Sequence, residues 1–284
     1  MYASIIGNVI NFCLNAFFLF VLHKGVAGVA TATVISRIIN LVIVVLLGAV
    51  LVKAKQHPER ESNRAVMGQI IRIGLPSACE TAIYNVSMTL VIRFLNQMDA
   101  QGLNVTARSY TMQITNFSYS VGAALAQANA IMTGWHIGAK EYDACDRGTR
   151  KAAIIGVIVA VILETMFALC SGWIMQLFSK DPQMVSLVGK LLAIDIVLEM
   201  GRVTNLVYGQ ALKTSGDAVF PVVMGACFMI LCSVGGTYLF GIRLGLLAVG
   251  AYIGMAGDEC VRAVGMYLRW KSGKWKEKGL VKSR

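Results

Sequence analysis

The stretch AIDIVLEMGRVTN, residues 193–205, places three ionisable side chains in otherwise apolar surroundings. Asp195, Glu199 and Arg202 are four and then three positions apart, which puts them on one face of a helix. A charged group inside a hydrophobic span costs about 2.5–3.5 kcal/mol, so it persists where it is paired or faces a polar cavity. The spacing therefore predicts either a Glu199–Arg202 ion pair, or a carboxylate, Asp195 or Glu199, that binds a proton or a sodium ion beside a cavity.

Glu80 is a second candidate for the same chemistry. It follows Pro76 by four positions within an apolar run, and Tyr84 continues its face as part of a mixed polar and apolar stripe typical of a cavity wall. A lone carboxylate at this place is expected either to pair with a buried arginine, such as Arg93 or Arg108, or to titrate.

Two further acids inside apolar runs have structural interpretations. Glu164 is alone in its run, and we expect it to pair with Lys190 near the end of the adjacent span. Asp258 and Arg262 are four positions apart, so a pair within one helix is expected there.

Sequence motifs of catalytic and metal sites are missing from the chain, which contains no Ser/His/Asp set, HExxH motif or phosphate-binding glycine loop. TSGD (214–217) and AGD (256–258) could suggest two aspartates that share a proton, as in an intramembrane aspartyl protease. Asp217 is expected at a turn and Asp258 within a span, which is poor geometry for such a dyad. We therefore expect no enzyme, no metal and no cofactor.

The elements that must position these residues are membrane helices. The chain is 56% hydrophobic and 14% charged, whereas soluble domains are about 25% charged. An apolar run of about 20 residues crosses a bilayer as a helix. Eight such runs are present, at 3–22, 26–52, 67–95, 104–134, 150–178, 184–212, 218–241 and 245–269. The expected fold class is an all-α membrane protein with eight transmembrane helices.

Lysine and arginine are distributed unevenly between the two sides of these spans. They are concentrated at 53–64, at 140–151, at 213 and from 269 onward, while the opposite side holds little more than Lys24, Lys180 and Arg243. Because cytoplasmic loops keep the positive charge, both ends of the chain are expected in the cytoplasm and the helices in the inner cell membrane. The net charge of +11 follows from the same distribution, which shows no pattern typical of nucleic-acid binding.

The fourth run and an internal repeat indicate how the spans assemble. Residues 104–134 are too polar for a lipid-facing helix, and Gln113 and Asn116 are among the side chains that must face protein or water. Segment 18–33 aligns with 238–253 at an offset of 220 residues, with four identical positions. This spacing favours a parallel duplication of a six-helix unit.

Four motifs occur in order: RIGLPSACETAIYN (72–85), HIGAKEYDACDRGTRKA (136–152), EMGRVTNLVYGQALKTSGDAVFP (199–221) and DECVRAVGMYLRWKSGKW (258–275). Together they resemble the multidrug and toxic compound extrusion (MATE) family over essentially the whole chain. The resemblance implies two six-helix lobes. This chain would hold the last two helices of the first lobe (1–53), a cytoplasmic linker (54–66), the complete second lobe (67–270) and a basic tail (271–284). Four helices of the first lobe would then be missing.

The resemblance also implies a function. MATE proteins are secondary antiporters that export organic cations and other small amphiphilic compounds, driven by a proton or sodium gradient. In the sodium-coupled branch the corresponding acid lies eight residues after the proline, where this chain has Tyr84, so coupling residues cannot be transferred from that branch.

The expected residues of the ion and substrate cavity are Glu80, Tyr84, Gln113, Asn116, Asp195, Glu199, Arg202 and Asn205. Two other interpretations stay open. One is a flippase for lipid-linked precursors in the same superfamily, and the other is a truncated fragment that does not transport.

Overall fold

The computed structural model describes residues 2–53, 63–99 and 101–278, and the regular elements over these ranges are helices. They are α1 (Tyr2–Ala16, followed by a π-helix at Phe17–Val21), α2 (Gly25–Lys53), α3 (Asn63–Met98), α4 (Leu103–Gly138), α5 (Tyr142–Leu169), α6 (Ser171–Met175), α7 (Pro182–Thr214), α8 (Val219–Phe228) and α9 (Leu247–Lys271). Two π-helical segments, Met229–Val234 and Thr237–Arg243, extend α8, and a short 3-10 helix at Lys274–Glu277 follows α9.

Each of the eight predicted apolar runs coincides with one of these helices or with consecutive helical segments. The predicted all-α fold class is therefore confirmed. The predicted linker at 54–66 and tail at 271–284 lie partly outside the described residues.

The chain divides into two compact units, residues 1–66 and 67–284. In the first unit, α1 packs against α2 as a hairpin, and the turn between them uses Gly25 at a φ of +53°. The Asn11 side-chain amide donates to the Ser36 hydroxyl at 2.9 Å and joins the two helices. The other faces of this hairpin expose large apolar side chains, as expected for helices that contact lipid.

The second unit is built around α7, which packs against α4, α5 and α9. One apolar cluster joins α3, α4, α7 and α9 around Leu95 and Leu198. A second joins α4, α5, α7 and α9 around Val203 and Trp270. Because α7 has neighbours on several sides, it forms the centre of the unit and carries polar groups into its interior.

Gly201 sets the distance between α7 and α9. A Cβ atom added there would lie 2.8 Å from the backbone nitrogen of Cys260, which is closer than van der Waals contact. Glycine allows the close approach, and the approach brings Arg202 of α7 beside Glu259 of α9.

Within the described ranges, three helical stretches are long and apolar enough to cross a membrane by length and composition: Gly25–Ala49, Tyr142–Leu169 and Val219–Arg243. Both α3 and α4 contain 36 residues; at about 1.5 Å per residue each is longer than the hydrocarbon core, which is about 30 Å thick. Their lower hydropathy, like that of α7 and α9, follows from polar side chains that they direct into a common cavity.

Candidate functional site

A cavity of about 600 Å³ lies within the second unit, between α3, α4, α7, α9 and the α8 segment. This volume is within the usual range for sites that hold a small organic molecule, about 300–1,000 Å³. The described lining includes four acidic and four basic side chains: Glu80, Asp195, Asp258, Glu259, Arg108, Arg202, Lys213 and Arg262. Most of these charges are neutralised by one another.

Glu80 of α3 pairs with Lys213, whose Nζ lies 2.6 Å from Glu80 Oε2. The expected pairing with Arg93 or Arg108 is therefore wrong. Arg93 is on the same helix as Glu80, 13 positions further along, or about 20 Å at the helical rise, and its side chain is exposed. Arg108 instead contacts Met88, two turns beyond Glu80 on α3, whereas Lys213 in the last turn of α7 is level with Glu80.

Arg202 of α7 connects two helices. Its Nη1 donates to Glu199 Oε2 at 2.9 Å, which confirms the predicted pair within the helix. Its Nε also lies 3.6 Å from Glu259 Oε1 on α9. Asn205, one turn further along α7, donates to Glu259 Oε2 at 3.0 Å. Asn205 lines the cavity, and its hydrogen bond also fixes the position of Glu259.

Arg262 of α9 completes this network. It donates to Asp258 through Nε at 3.0 Å and Nη2 at 2.8 Å, so the expected pair is confirmed and its geometry is bidentate. The same Nη2 lies 2.9 Å from Glu259 Oε1, and Ser233 donates to Asp258 at 2.9 Å. Since Asp258 is fully occupied by these donors and Asp217 binds other cations, the two aspartates form no dyad.

Asp195 differs from the other acids of the lining. Its side chain is 2% exposed, and its Oδ2 has no hydrogen-bond partner among the described residues. No basic group of those residues lies within ion-pair distance of it, although Arg202 acts on it electrostatically. A buried carboxylate of this kind has free capacity to bind a cation or a proton.

Glu164 of α5 was expected to pair with Lys190, and this prediction is wrong. Glu164 is completely buried, and its carboxylate oxygens form no hydrogen bond of ordinary geometry in the described part of the chain, although the Ser118 hydroxyl of α4 lies near enough to interact with them. Its electrostatic neighbours are Asp195, Glu199 and Arg202 of α7. The packing of α5 along α7 turns Glu164 toward the part of α7 that carries Asp195 and Glu199. Lys190 is exposed and lies more than one turn before Asp195 on α7.

The remaining expected residues divide into two groups. Tyr84 and Asn116 line the cavity. Gln113 is exposed and is not part of the described lining, and Glu199 lies behind Arg202 rather than on the cavity surface. Lys213 and Tyr252 also line the cavity but were not expected there. Lys213 follows an apolar run, as a lysine of a loop would, and Tyr252 lies within an apolar run, as an aromatic residue of a hydrophobic core would.

One ion cluster lies outside the spans, at the turn between α7 and α8. Asp217 accepts hydrogen bonds of 2.7 Å from Arg269 Nε and from Lys278 Nζ. Burial acts to raise the pKa of Asp217, but these two cationic donors outweigh burial and hold the pKa below its ordinary value. Beside the cluster, Trp270 and Trp275 stack with ring centroids 4.2 Å apart.

The sequence is similar to those of known proteins. The MatE family model matches residues 76–239. The uncharacterized transporter YisQ of Bacillus subtilis is 33% identical over 99% of this chain and 63% of its own length. The probable multidrug resistance protein NorM of Thermotoga maritima is 22% identical, with 91% of this chain and 56% of NorM covered.

Solved structures share the fold. The eukaryotic MATE transporter AtDTX14 matches with a TM-score of 0.86 at 18% sequence identity, covering 98% of this chain and 62% of its own. The present chain thus spans less than two thirds of the length of the relatives that it matches. On the family match and the fold together, the chain belongs to the MatE family of multi-pass membrane transporters and is not an enzyme.

Proposed function

We propose that this chain forms part of a secondary antiporter that exports organic cations or other small amphiphilic compounds in exchange for protons or sodium ions. The observation that carries the proposal is Asp195, a cavity-lining carboxylate with 2% exposure and an oxygen that has no partner among the described residues. Because an unpaired buried charge is costly, binding of a proton, a sodium ion or an organic cation at this carboxylate is favourable.

The proposed coupling is competition for the negative charge of the cavity. A proton or sodium ion at Asp195 stabilises one conformation, and an organic cation that needs the same carboxylate favours the other. Glu80 and Glu199 are candidates for the same exchange in another conformation. Each would first have to leave the cation that it binds here, Lys213 or Arg202.

Transport would follow from two lobes that open the cavity alternately to each side of the membrane. The second unit would supply one lobe, and residues 1–53 would supply the last two helices of the other. The remaining helices of that lobe correspond to the part of the relatives that this chain does not cover. From the distribution of lysine and arginine we further propose that both ends of the chain face the cytoplasm and that the protein lies in the cell membrane.

Accumulation of a fluorescent organic cation in bacteria that lack their own efflux pumps tests this function. The chain is expressed by itself and joined to an upstream segment of YisQ. The joined form then carries Asp195→Asn, or Asp143→Asn as the matched control. Asp143 is suitable because it is exposed in the first turn of α5 and lies outside the described cavity lining.

We expect the joined protein and its Asp143→Asn variant to lower accumulation, and the Asp195→Asn variant to lose this effect at an equal amount in the membrane. Normal efflux by Asp195→Asn would contradict the role of this carboxylate. No efflux by any form, despite verified insertion, would contradict export of such cations and favour the flippase or non-transporting alternatives.

A further inference from the structure

A groove of about 520 Å³ lies where α4, α7 and α9 begin. The first residues of these three helices, Leu103, Pro182 and Leu247, all belong to its described lining. No residue of this described lining also lines the cavity. The Asp217 cluster lies at the opposite ends of α7 and α9. The groove is therefore near the other surface of the membrane from that cluster.

Lys190 of α7 is the one charged side chain among the described residues that line this groove. It takes part in none of the ion pairs between described residues. Lys190 lies about 12 Å along the helix from Pro182. Because α7 has 33 residues, it is about 20 Å longer than the hydrocarbon core, and it extends about 10 Å beyond each side when centred. Lys190 is thus at the level where the hydrocarbon ends and the lipid phosphates begin.

Two acids near the groove are engaged as helix caps. Asp99 accepts hydrogen bonds of 3.0 Å from the backbone N–H groups of Leu103 and Asn104. Asp181 accepts one of 3.0 Å from the backbone N–H group of Gln183. Each carboxylate offsets the positive end of its own helix, α4 or α7. Since the described residues offer Lys190 no ion-pair partner, an anion is the ligand that fits beside it.

Gln183 and Ser186 lie on the same face of α7 as Lys190, because the three positions are three and four residues apart. All three side chains are exposed and line the groove. An ammonium, an amide and a hydroxyl group together supply several hydrogen-bond donors. A phosphate group has several acceptor oxygens and forms charge-assisted hydrogen bonds with an ammonium group.

Much of the remaining lining is apolar. Leu187 lies beside Ser186 on α7, and Leu246 and Leu247 line the groove where α9 begins. Leu246 and Leu247 are 43% and 41% exposed, so their side chains are available to a ligand. An apolar surface beside a set of phosphate donors suits a phospholipid, whose acyl chains follow its phosphate, better than a soluble phosphate compound.

We propose that this groove binds an anionic phospholipid, whose phosphate accepts hydrogen bonds from Lys190, Gln183 and Ser186. The beginning of an acyl chain contacts the leucines of the lining. The inference goes beyond the proposed function and does not depend on it. A zwitterionic phospholipid carries its own cationic group beside the phosphate, so it gains less from Lys190 than a lipid with a net negative charge.

Lipid retention by the purified full chain, counted by native mass spectrometry, tests the site. The protein is released from nanodiscs that hold equal amounts of phosphatidylglycerol, which is anionic, and phosphatidylcholine, which is zwitterionic, with the same acyl chains. The variants are Lys190→Gln, Lys190→Arg, which keeps the charge, and Ser186→Trp, which fills the groove from an exposed position. Lys180→Gln is the matched control, because Lys180 is an exposed lysine just before α7 and outside the described lining.

We expect the wild type, Lys180→Gln and Lys190→Arg to prefer phosphatidylglycerol about tenfold, because one charge-assisted hydrogen bond changes affinity by about that factor. Lys190→Gln and Ser186→Trp should lose the preference. In pure phosphatidylcholine Lys190→Gln should melt at the wild-type temperature, since Lys190 is exposed, so that a lost preference is not a loss of folding.

Three results would overturn the inference. The first is equal retention of the two lipids by the wild type. The second is an equal loss of preference in Lys180→Gln and Lys190→Gln, which would show a general attraction of anionic lipids to basic residues. The third is a preference that Ser186→Trp retains, which would place the lipid outside the groove.

Soluble glycerol phosphate distinguishes a lipid from a free phosphate compound. We expect it not to displace phosphatidylglycerol at an equal concentration, because it lacks the apolar part that contacts the leucines. Displacement at an equal concentration would contradict a lipid site. Asp195-dependent efflux can be measured separately, so failure of the lipid site and failure of the proposed function are distinguishable.

Discussion

Lys213 Nζ lies 2.6 Å from Glu80 Oε2, and this ion pair joins the last turn of α7 to α3 at one end of the cavity. The two residues are 133 positions apart in the chain. Each side chain is 21% exposed, so the pair is partly shielded from water.

Breaking this pair should destabilise the second unit. We expect Lys213→Met and Glu80→Gln each to lower the melting temperature, and the double variant to recover part of the loss, with a coupling free energy of about 1 kcal/mol. Thermal unfolding of the four proteins in nanodiscs measures the cycle. Strictly additive effects would show that the two side chains do not stabilise one another.

The close contact between α7 and α9 at Gly201 should not tolerate a larger residue. In Gly201→Ala the new Cβ would lie 2.8 Å from α9 backbone atoms, so we expect the free energy of unfolding to fall by about 1–3 kcal/mol. Gly257→Ala on α9 is the control, because open space surrounds that position. Equal melting temperatures for Gly201→Ala and Gly257→Ala would contradict a close contact between α7 and α9 at Gly201.

Removal of charge from Arg202 and removal of charge from the neighbouring Glu164 should have different effects on stability. Arg202→Met leaves Glu199 buried without its cation and should lower the free energy of unfolding by about 3 kcal/mol or more. Glu164→Gln removes a fully buried carboxylate that has no cation within ion-pair distance among the described residues, and its amide keeps an oxygen for the Ser118 hydroxyl, so its melting temperature should equal or exceed that of the wild type. A large loss of stability in Glu164→Gln would show that this carboxylate has a stabilising partner.

The Asp217 cluster should resist acid. Because the folded-state pKa of Asp217 is lowered, its contribution to stability is present above the ordinary pKa of 3.8 and is lost as the pH falls through the lower folded value. At pH 7 we expect Asp217→Asn to reduce the free energy of unfolding by about 1–2 kcal/mol.

Tryptophan fluorescence reports this cluster, since Trp270 and Trp275 stack beside it. The wild-type emission should stay constant from pH 7 down to pH 4 and change only below about pH 3.8. Asp143→Asn, which removes an exposed carboxylate of α5, should behave like the wild type. Trp270 Nε1 donates to Asp146 Oδ1 at 2.8 Å, so the change due to Asp217 is the one that Asp217→Asn lacks. A wild-type transition at pH 5 or above that is absent from Asp217→Asn would contradict the lowered pKa.

Local spacing was sufficient to predict some of these features. The Glu199–Arg202 and Asp258–Arg262 pairs follow from positions three and four residues apart on one helix, and the apolar runs predicted the helices themselves. These features depend on one segment of chain at a time, so the sequence determines them directly.

The rotation of each helix against its neighbours could not be read from one segment. That rotation turns Gln113 away from the cavity while Asn116 lines it, and turns Glu164 toward α7 instead of Lys190. The Glu80–Lys213 pair likewise depends on where two distant helices end. Tertiary packing therefore decides which charges are paired and which, like Asp195 and Arg108, have no ion-pair partner among the described residues.

The central claim is that a coupling cation and an organic cation compete for Asp195. Displacement of a fluorescent organic cation from the purified protein in nanodiscs, on titration with protons and with sodium ions, tests it most directly. The account predicts that at least one of the two ions displaces the dye from the wild type and from Asp143→Asn, but not from any residual site in Asp195→Asn. Dye binding that is indifferent to both ions in the wild type, or displacement that persists unchanged in Asp195→Asn, would contradict it.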